Sequence, residues 1–240
     1  MKNVLITGAN KGLGFETARQ LLRAGYFVFL GSRNHANGLA AQQQLEAEGL
    51  DQVAVIEIDV TSDDSVRAAA AAVRAHTPHL DVLLNNAGIS GVSEQQPSTV
   101  ALETIRTVLE TNFYGVIRTT QALLPLLHQA PEAAIVNVSS DLASLTRHQQ
   151  PEWPYYAFKG AAYGPSKTAL NAWTVALAYE LRDSAIQVNA VNPGFTATDL
   201  NGFQGTQTVE QGAAVLVHYA TLPADGPRGQ FFSPDGPTPW

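Results

Sequence analysis

The apolar residues of this chain gather in short, mostly unbroken runs, and helix-spaced stretches separate the runs. Val4-Leu5-Ile6-Thr7, Phe27-Val28-Phe29-Leu30 and Val82-Leu83-Leu84 set the pattern. A strand with one wet face alternates apolar and polar side chains. A run without alternation belongs to a strand covered on both faces, and so to a parallel sheet between layers of helices. The pattern predicts strands over 4–7, 27–30, 53–58, 82–84, 135–138, 186–191 and 230–232. It predicts helices over 16–23 and 39–48, a third capped by Ser62 or Asp63 and running to 75, two over 99–110 and 112–129, and one over 163–182. Strand-then-helix alternation is the doubly wound α/β class. With 240 residues, no internal repeat and no low-complexity linker, the expectation is one domain. Its mostly parallel sheet should have about seven strands with helices on both faces. The Pro- and Gly-rich segment 223–240 reads as loop around the last strand.

Composition narrows the chemistry. The net charge of −7, with no basic block, argues against nucleic-acid binding, which needs clustered cations facing phosphates. Cysteine is absent, which removes disulfides, thiol nucleophiles and cysteine-based zinc sites. His35, His76, His79, His128, His148 and His218 are scattered without ligand spacing, so no metal is expected. No apolar stretch approaches the roughly 20 residues of a membrane span. Val4-Leu5-Ile6, interrupted by Gly8, is too short for a signal-peptide core. A soluble cytoplasmic protein without a membrane partner is the expectation, and oligomeric state stays open between a monomer and a homo-oligomer.

Two features carry chemistry. After the first strand comes Thr7-Gly8-Ala9-Asn10-Lys11-Gly12-Leu13-Gly14, and then a helix. A pyrophosphate can approach the backbone N–H groups of a helix N-terminus only where side chains do not block it, and glycine also supplies the positive φ of a tight turn. A plain strand–helix turn is the competing reading. Further on, Tyr163 and Lys167 lie four apart on a predicted helix and share a face. An ammonium beside a phenol favours the phenolate, drawing the tyrosine toward useful acid–base range. Tyr155 and Lys159 have the same spacing. The later pair is preferred, because 168–171 continues a helical pattern whereas Gly160 follows Lys159, and because Pro165 suits a first helical turn.

Taken in order, T-G-x-x-x-G-x-G at 7–14, Asn85-Asn86-Ala87-Gly88 after the fourth strand, Asn112 at the start of a helix, Ser139-Ser140 after the fifth strand, Tyr163-Gly164-Pro165-Ser166-Lys167, and Pro193-Gly194 after the sixth strand resemble the short-chain dehydrogenase/reductase family over nearly the whole chain. The ending Gly229-Gln230-Phe231-Phe232 to Pro239-Trp240 resembles its carbonyl-reductase-like branch. The resemblance implies a Rossmann-type domain that reduces a ketone or aldehyde to an alcohol, or the reverse, by hydride transfer. Asn112, Ser140, Tyr163 and Lys167 would be catalytic. Gly8, Asn10, Lys11, Gly12, Leu13, Gly14, Arg33, Asp59, Val60, Asn86, Ala87, Gly88, Tyr163, Lys167, Pro193, Gly194, Thr196 and Thr198 would hold the cofactor. In this reading Tyr163 gives the proton, Ser140 steadies the developing alkoxide, and Asn112 holds a water joined to Lys167. A helix N-cap is the alternative for Asn112, and local turn formation for Asn85 and Asn86.

Enzymes that prefer NAD usually hold the ribose 2′-OH with an acid after the second strand. Here that strand leads into Gly31-Ser32-Arg33, without one. A planar guanidinium suits a 2′-phosphate, with Lys11 as a second cation, so NADP(H) is expected. Ser140 and Tyr163 are 23 positions apart, a longer separation than in minimal family members. The insert 141–162, with Trp153, Tyr155 and Tyr156, is expected over the substrate site. Phe195 and Phe203 extend an apolar pocket, and 196–208 is expected to act as a lid. The competing functions are a nucleotide-binding regulator that senses NADP(H) without turnover and a dehalogenase-like relative that has lost its cofactor. The intact serine, tyrosine and lysine speak against the first. The intact glycine-rich turn and lysine speak against the second.

Overall fold

The computed structural model describes residues 1–92 and 94–240. Its strands are β1 (Asn3–Ile6), β2 (Phe27–Ser32), β3 (Val53–Glu57), β4 (Val82–Asn85), β5 (Ala133–Val138), β6 (Ile186–Val191), β7 (Phe231–Ser233) and β8 (Gly236–Pro237). Its helices are α1 (Gly12–Arg23), α2 (His35–Ala47), α3 (Asp63–His76), α4 (Leu102–Leu109), α5 (Gly115–Leu127), α6 (Tyr163–Glu180) and α7 (Val209–Ala220). The strands form one sheet in the order β3-β2-β1-β4-β5-β6-β7-β8, parallel except for β8.

Both faces of the sheet are covered, as the unbroken apolar runs require. Val4, Leu5 and Ile6 are all fully buried, yet successive side chains leave a strand on opposite faces. Leu5 and Phe29 join a core with Val66, Val73, Leu123 and Leu127 beneath α3 and α5. Val4, Ile6 and Leu30 join a second core with Leu21, Leu45 and Leu216 beneath α1, α2 and α7. The chain reverses direction across the sheet after β3, so β1 lies between β2 and β4. The chain leaves the paired carboxyl ends of β1 and β4 toward opposite faces of the sheet, to α1 on one and to α4 and α5 on the other, and the crevice at this switch point is where open α/β sheets bind ligands.

Helix α1 starts at Gly12 where 16 was expected and α4 at Leu102 where 99 was expected; beyond these shifts the structure departs from the sequence expectation in four places. Helix α7 had no predicted counterpart. Its signal is a capping box, in which the Thr208 hydroxyl accepts from the Gln211 N–H and the Gln211 amide accepts in return from Thr208. Helix α2 begins a turn early, because the Asn34 carboxamide caps it through the Asn37 N–H at 2.9 Å. The C-terminal segment carries two strands, the second being the short antiparallel β8. The fourth departure concerns Asn112, which does not start a helix. Helices α4 and α5 are continuous through a π-helical turn, Glu110–Tyr114, and Asn112 is fully buried inside it. A helix-start asparagine is recognised by the break before it, and here the wider turn removes any break. No helix among the described residues is long and apolar enough to cross a membrane.

Candidate active site

The glycine-rich turn after β1 is held open by close backbone packing. Gly8 has φ +64°, a left-handed conformation that strains any residue with a Cβ. A Cβ on Gly14 would stand 2.7 Å from the Gly8 carbonyl and 2.5 Å from the Asn86 amide, so that face of α1 lies against the turn. Asn86 is the clamp, donating from Nδ2 to the carbonyls of Thr7 at 2.8 Å and Gly8 at 3.1 Å. The Thr7 hydroxyl accepts the N–H groups of Asn86 and Ala87 at 3.0 Å. These bonds join the end of β1 to the end of β4 and answer the local-turn alternative for Asn86, whose side chain spans two strands. No side chain caps α1, and its first turn carries no acid. That leaves an uncapped helix N-terminus with its partial positive charge facing the crevice, a fit for a pyrophosphate.

A cleft of about 2300 Å³ opens from this turn. Gly8, Asn10, Lys11, Gly12, Leu13, Gly14, Arg33, Asp59, Val60, Asn86, Ala87, Gly88, Pro193, Gly194, Thr196 and Thr198 all line it, together with Ser140, Tyr163 and Lys167. Asn112 does not, being wholly buried behind them. Arg33 is exposed at the rim. The Lys11 ammonium does not stand free: it pairs with the Asp199 carboxylate, tying the glycine-rich turn to the 196–208 segment.

The serine, tyrosine and lysine converge at the far end of this cleft. The Tyr163 phenol faces the Ser140 side chain; burial pushes its pKa up and the nearby serine opposes that rise. The Lys167 ammonium lies 5.9 Å from the Tyr163 ring centre and donates to the Val138 carbonyl at 2.7 Å. Burial lowers its pKa to about 8. Ser139 is buried, and its hydroxyl is committed to Asn171 Oδ1 at 2.7 Å. Ser140 is half-buried and faces the cleft. Asn112 is a brace: its Oδ1 accepts the Ile89 N–H at 2.9 Å, and its Nδ2 donates to the Ile89 carbonyl at 2.9 Å and to the Ser166 hydroxyl at 3.0 Å. The π turn turns this side chain inward, as such turns often do at functional sites.

The insert between Ser140 and Tyr163 is ordered by its own bonds. Asp141 accepts from Arg147 at 2.5 Å and from Asn192 at 2.7 Å, and the Thr146 N–H reaches the C-terminal Trp240 carbonyl at 3.0 Å. Trp153, Tyr155 and Phe158 line the cleft with Phe195. Their rings run edge to face, with Tyr155 5.5 Å from Trp153 and 5.7 Å from Phe195. Tyr156 and Phe203, also expected there, do not line it. The competing Tyr155/Lys159 pair sits in this insert, outside any helix. Lys159 is exposed, bonded to His148 and stacked on Tyr156. The 196–208 segment is pinned at its base by a parallel bridge between Thr196 and Gln207 and caps itself through Thr198 and Asn201.

Two side chains near this site were absent from the sequence reading. Asn171 follows Lys167 by four positions, and a polar residue continuing the Tyr163–Lys167 face was a readable sign. Gln95, in a polar loop, offered none, yet it bonds the N–H of Tyr163.

The family model described as short chain dehydrogenase matches residues 2–208. A protein named short-chain dehydrogenase anuI, from Penicillium roqueforti (strain FM164), is 38% identical over 223 residues, covering 91% of this chain and 88% of that one. Carbonyl reductase [NADPH] 1 of Mus musculus is 32% identical over 280 residues, covering 98% and 97%. Among solved structures, an NADPH-bound carbonyl reductase from chicken fatty liver superposes with a TM-score of 0.85 at 28% identity, covering 100% of this chain and 99% of that one.

Proposed function

Since the chain belongs to the short-chain dehydrogenase family, we propose that it is an NADPH-dependent reductase of ketones or aldehydes, with Tyr163 as proton donor. The observation that carries the reading is the meeting of Ser140, Tyr163 and Lys167 at one end of a cleft whose other end is an open helix N-terminus. A nicotinamide dinucleotide bound there supplies the hydride. Its diphosphate is assigned to the 8–14 turn, its 2′-phosphate to Arg33, and its nicotinamide end to Pro193, Gly194, Thr196 and Thr198.

The side chains do the rest. The substrate carbonyl oxygen accepts hydrogen bonds from the hydroxyls of Ser140 and Tyr163. As negative charge develops on that oxygen, the Tyr163 proton moves to it, and the Ser140 donor, already in place, offsets the charge without reorganisation. The Lys167 ammonium stabilises the tyrosinate left behind. In the oxidative direction Tyr163 acts as base, taking the alcohol proton. The aromatic wall of Trp153, Tyr155, Phe158 and Phe195 favours a carbonyl carried on an apolar body. Related proteins bearing the name NADPH carbonyl reductase support this assignment.

The deciding experiment follows the loss of NADPH absorbance with a panel of aldehydes and ketones. Turnover is expected. Tight NADPH binding without turnover on any of them would replace the reading with a cofactor sensor.

Two further outcomes test the assignments. Arg33→Ala should weaken NADPH about 10- to 100-fold while leaving NADH unchanged, since a charge-assisted bond to phosphate is worth about 1.5–3 kcal/mol. Equal loss for both cofactors in steady-state kinetics would remove Arg33 from phosphate recognition. The two serines should separate as well. Ser140→Ala should lower kcat on the order of 10²-fold. Ser139→Ala should leave kcat nearly unchanged but cost about 1–3 kcal/mol in urea unfolding, because it strands the buried Asn171 oxygen. Reversed effects would exchange their roles.

A further inference from the structure

Helix α6 begins at the proton donor itself, and its N-cap residue, Ala162, has no side chain to cap it. The first N–H groups of a helix need partners from outside it. They find them in Gln95, in the loop between β4 and α4. Its Oε1 accepts the N–H of Ala162 at 3.1 Å and of Tyr163 at 3.0 Å, and its backbone carbonyl accepts the N–H of Ala161 at 2.9 Å. Its Nε2 is anchored in turn on the carbonyls of Ser90 at 2.6 Å and Val92 at 2.8 Å. The opposite end of the Tyr163 peptide is gripped too: the Ser166 hydroxyl donates to the Tyr163 carbonyl at 2.7 Å and receives the Asn112 amide. Both backbone polar groups of Tyr163 are therefore held by side chains, one of them reaching across 68 positions of sequence.

Resting on the reductase reading, we infer that Gln95 is a positioning residue, a remote cap that fixes the backbone of Tyr163 and so the place of its hydroxyl. It touches no reacting atom. A proton donor on the first turn of a helix is exposed to fraying, and a shift of about 1 Å in a reacting group can cost on the order of 10²-fold in rate. Three of these five bonds close the end of the insert against the β4–α4 loop and the other two hold the loop on itself, so the substrate cleft and its acid keep one register.

Two variants divide the residue's halves. Gln95→Met has similar length and no polar atom. Gln95→Glu keeps the accepting oxygen and loses the amide donor. Gln95→Met should lower kcat about 10- to 100-fold with the KM for NADPH unchanged, and should speed hydrogen exchange in the peptide covering 161–166. Gln95→Glu keeps the acceptor for Ala162 and Tyr163 but turns a carboxylate oxygen toward the Ser90 and Val92 carbonyls, so it should lose less turnover and less protection than Gln95→Met, and recover both as the pH falls and the carboxyl group gains a proton to donate. Turnover or exchange left unaltered by Gln95→Met, or equal losses in both variants, overturns the inference. If the unaltered protein reduces nothing in the panel, the reductase reading falls by itself, and the exchange rates still decide whether Gln95 holds Tyr163.

Discussion

Tyr163→Phe is expected to lower kcat for carbonyl reduction on the order of 10²–10⁴-fold, the usual contribution of a positioned general acid. The substitution keeps the ring and its packing and deletes only the hydroxyl that meets Ser140. Thermal unfolding should therefore move little, which separates lost chemistry from lost structure. Stopped-flow measurement of the hydride step with NADPH and a reactive ketone checks it. Near-normal turnover would place the proton donor elsewhere, with Tyr155, on the aromatic wall, the next residue to test.

The second large effect belongs to Lys167. Lys167→Met should lower kcat on the order of 10²-fold or more, since it removes the cation that steadies a tyrosinate. Stability should behave differently. In the folded protein burial brings the lysine down from 10.5 to about 8, so at neutral pH the native state carries a charge it would rather lose. Between about pH 8 and 10.5 the unfolded chain binds more protons at this position than the folded one, and stability at this site rises with pH. Below pH 8 both states are protonated and the cost is complete, on the order of 3 kcal/mol. The methionine variant escapes that cost but leaves the Val138 carbonyl without its donor, a loss independent of pH. The informative quantity is thus the gap between the two proteins. Urea unfolding at pH 7 and pH 10 should show the wild type gaining on the variant as pH rises. A constant gap would mean the ammonium is not held against burial.

The layers and the cleft were readable because each rests on local sequence. Unbroken runs such as Phe27–Leu30 report burial on both faces without reference to any other segment. The glycines of 8–14 report a backbone that must not carry side chains. Tyr163 and Lys167 declare themselves by helical spacing, and the aromatic residues of the insert by their density. What was not readable depends on partners far along the chain. Gln95 looks like any loop glutamine until α6 begins with an alanine cap 67 positions later. Lys11 reads as a free cation beside a phosphate site, and only the return of Asp199 to the same place gives it a counter-ion. Only the family resemblance separates Ser140 from Ser139 in the sequence, and the burial of Ser139 against Asn171 is the physical difference that local sequence does not carry. Helix α7, by contrast, has its start written locally, in the capping box of Thr208 and Gln211.

The π turn between α4 and α5 has a consequence for how this chain can change. An α-helix advances about 100° per residue, and a π turn takes in one residue more than an α turn. The surplus residue is taken up within that one turn, so the helix after it keeps the phase of the helix before it. With it, Val108 before the turn and Val116, Leu123 and Leu127 after it are all buried, while Asn112 points into the protein. Removing one residue would restore a regular spiral that still meets the sheet in step, because the wide turn only takes up the surplus. What would go is the bulge that aims Asn112 inward. A relative one residue shorter there would keep the docking of the downstream rod and lack the buried brace between the β4–α4 loop and α6.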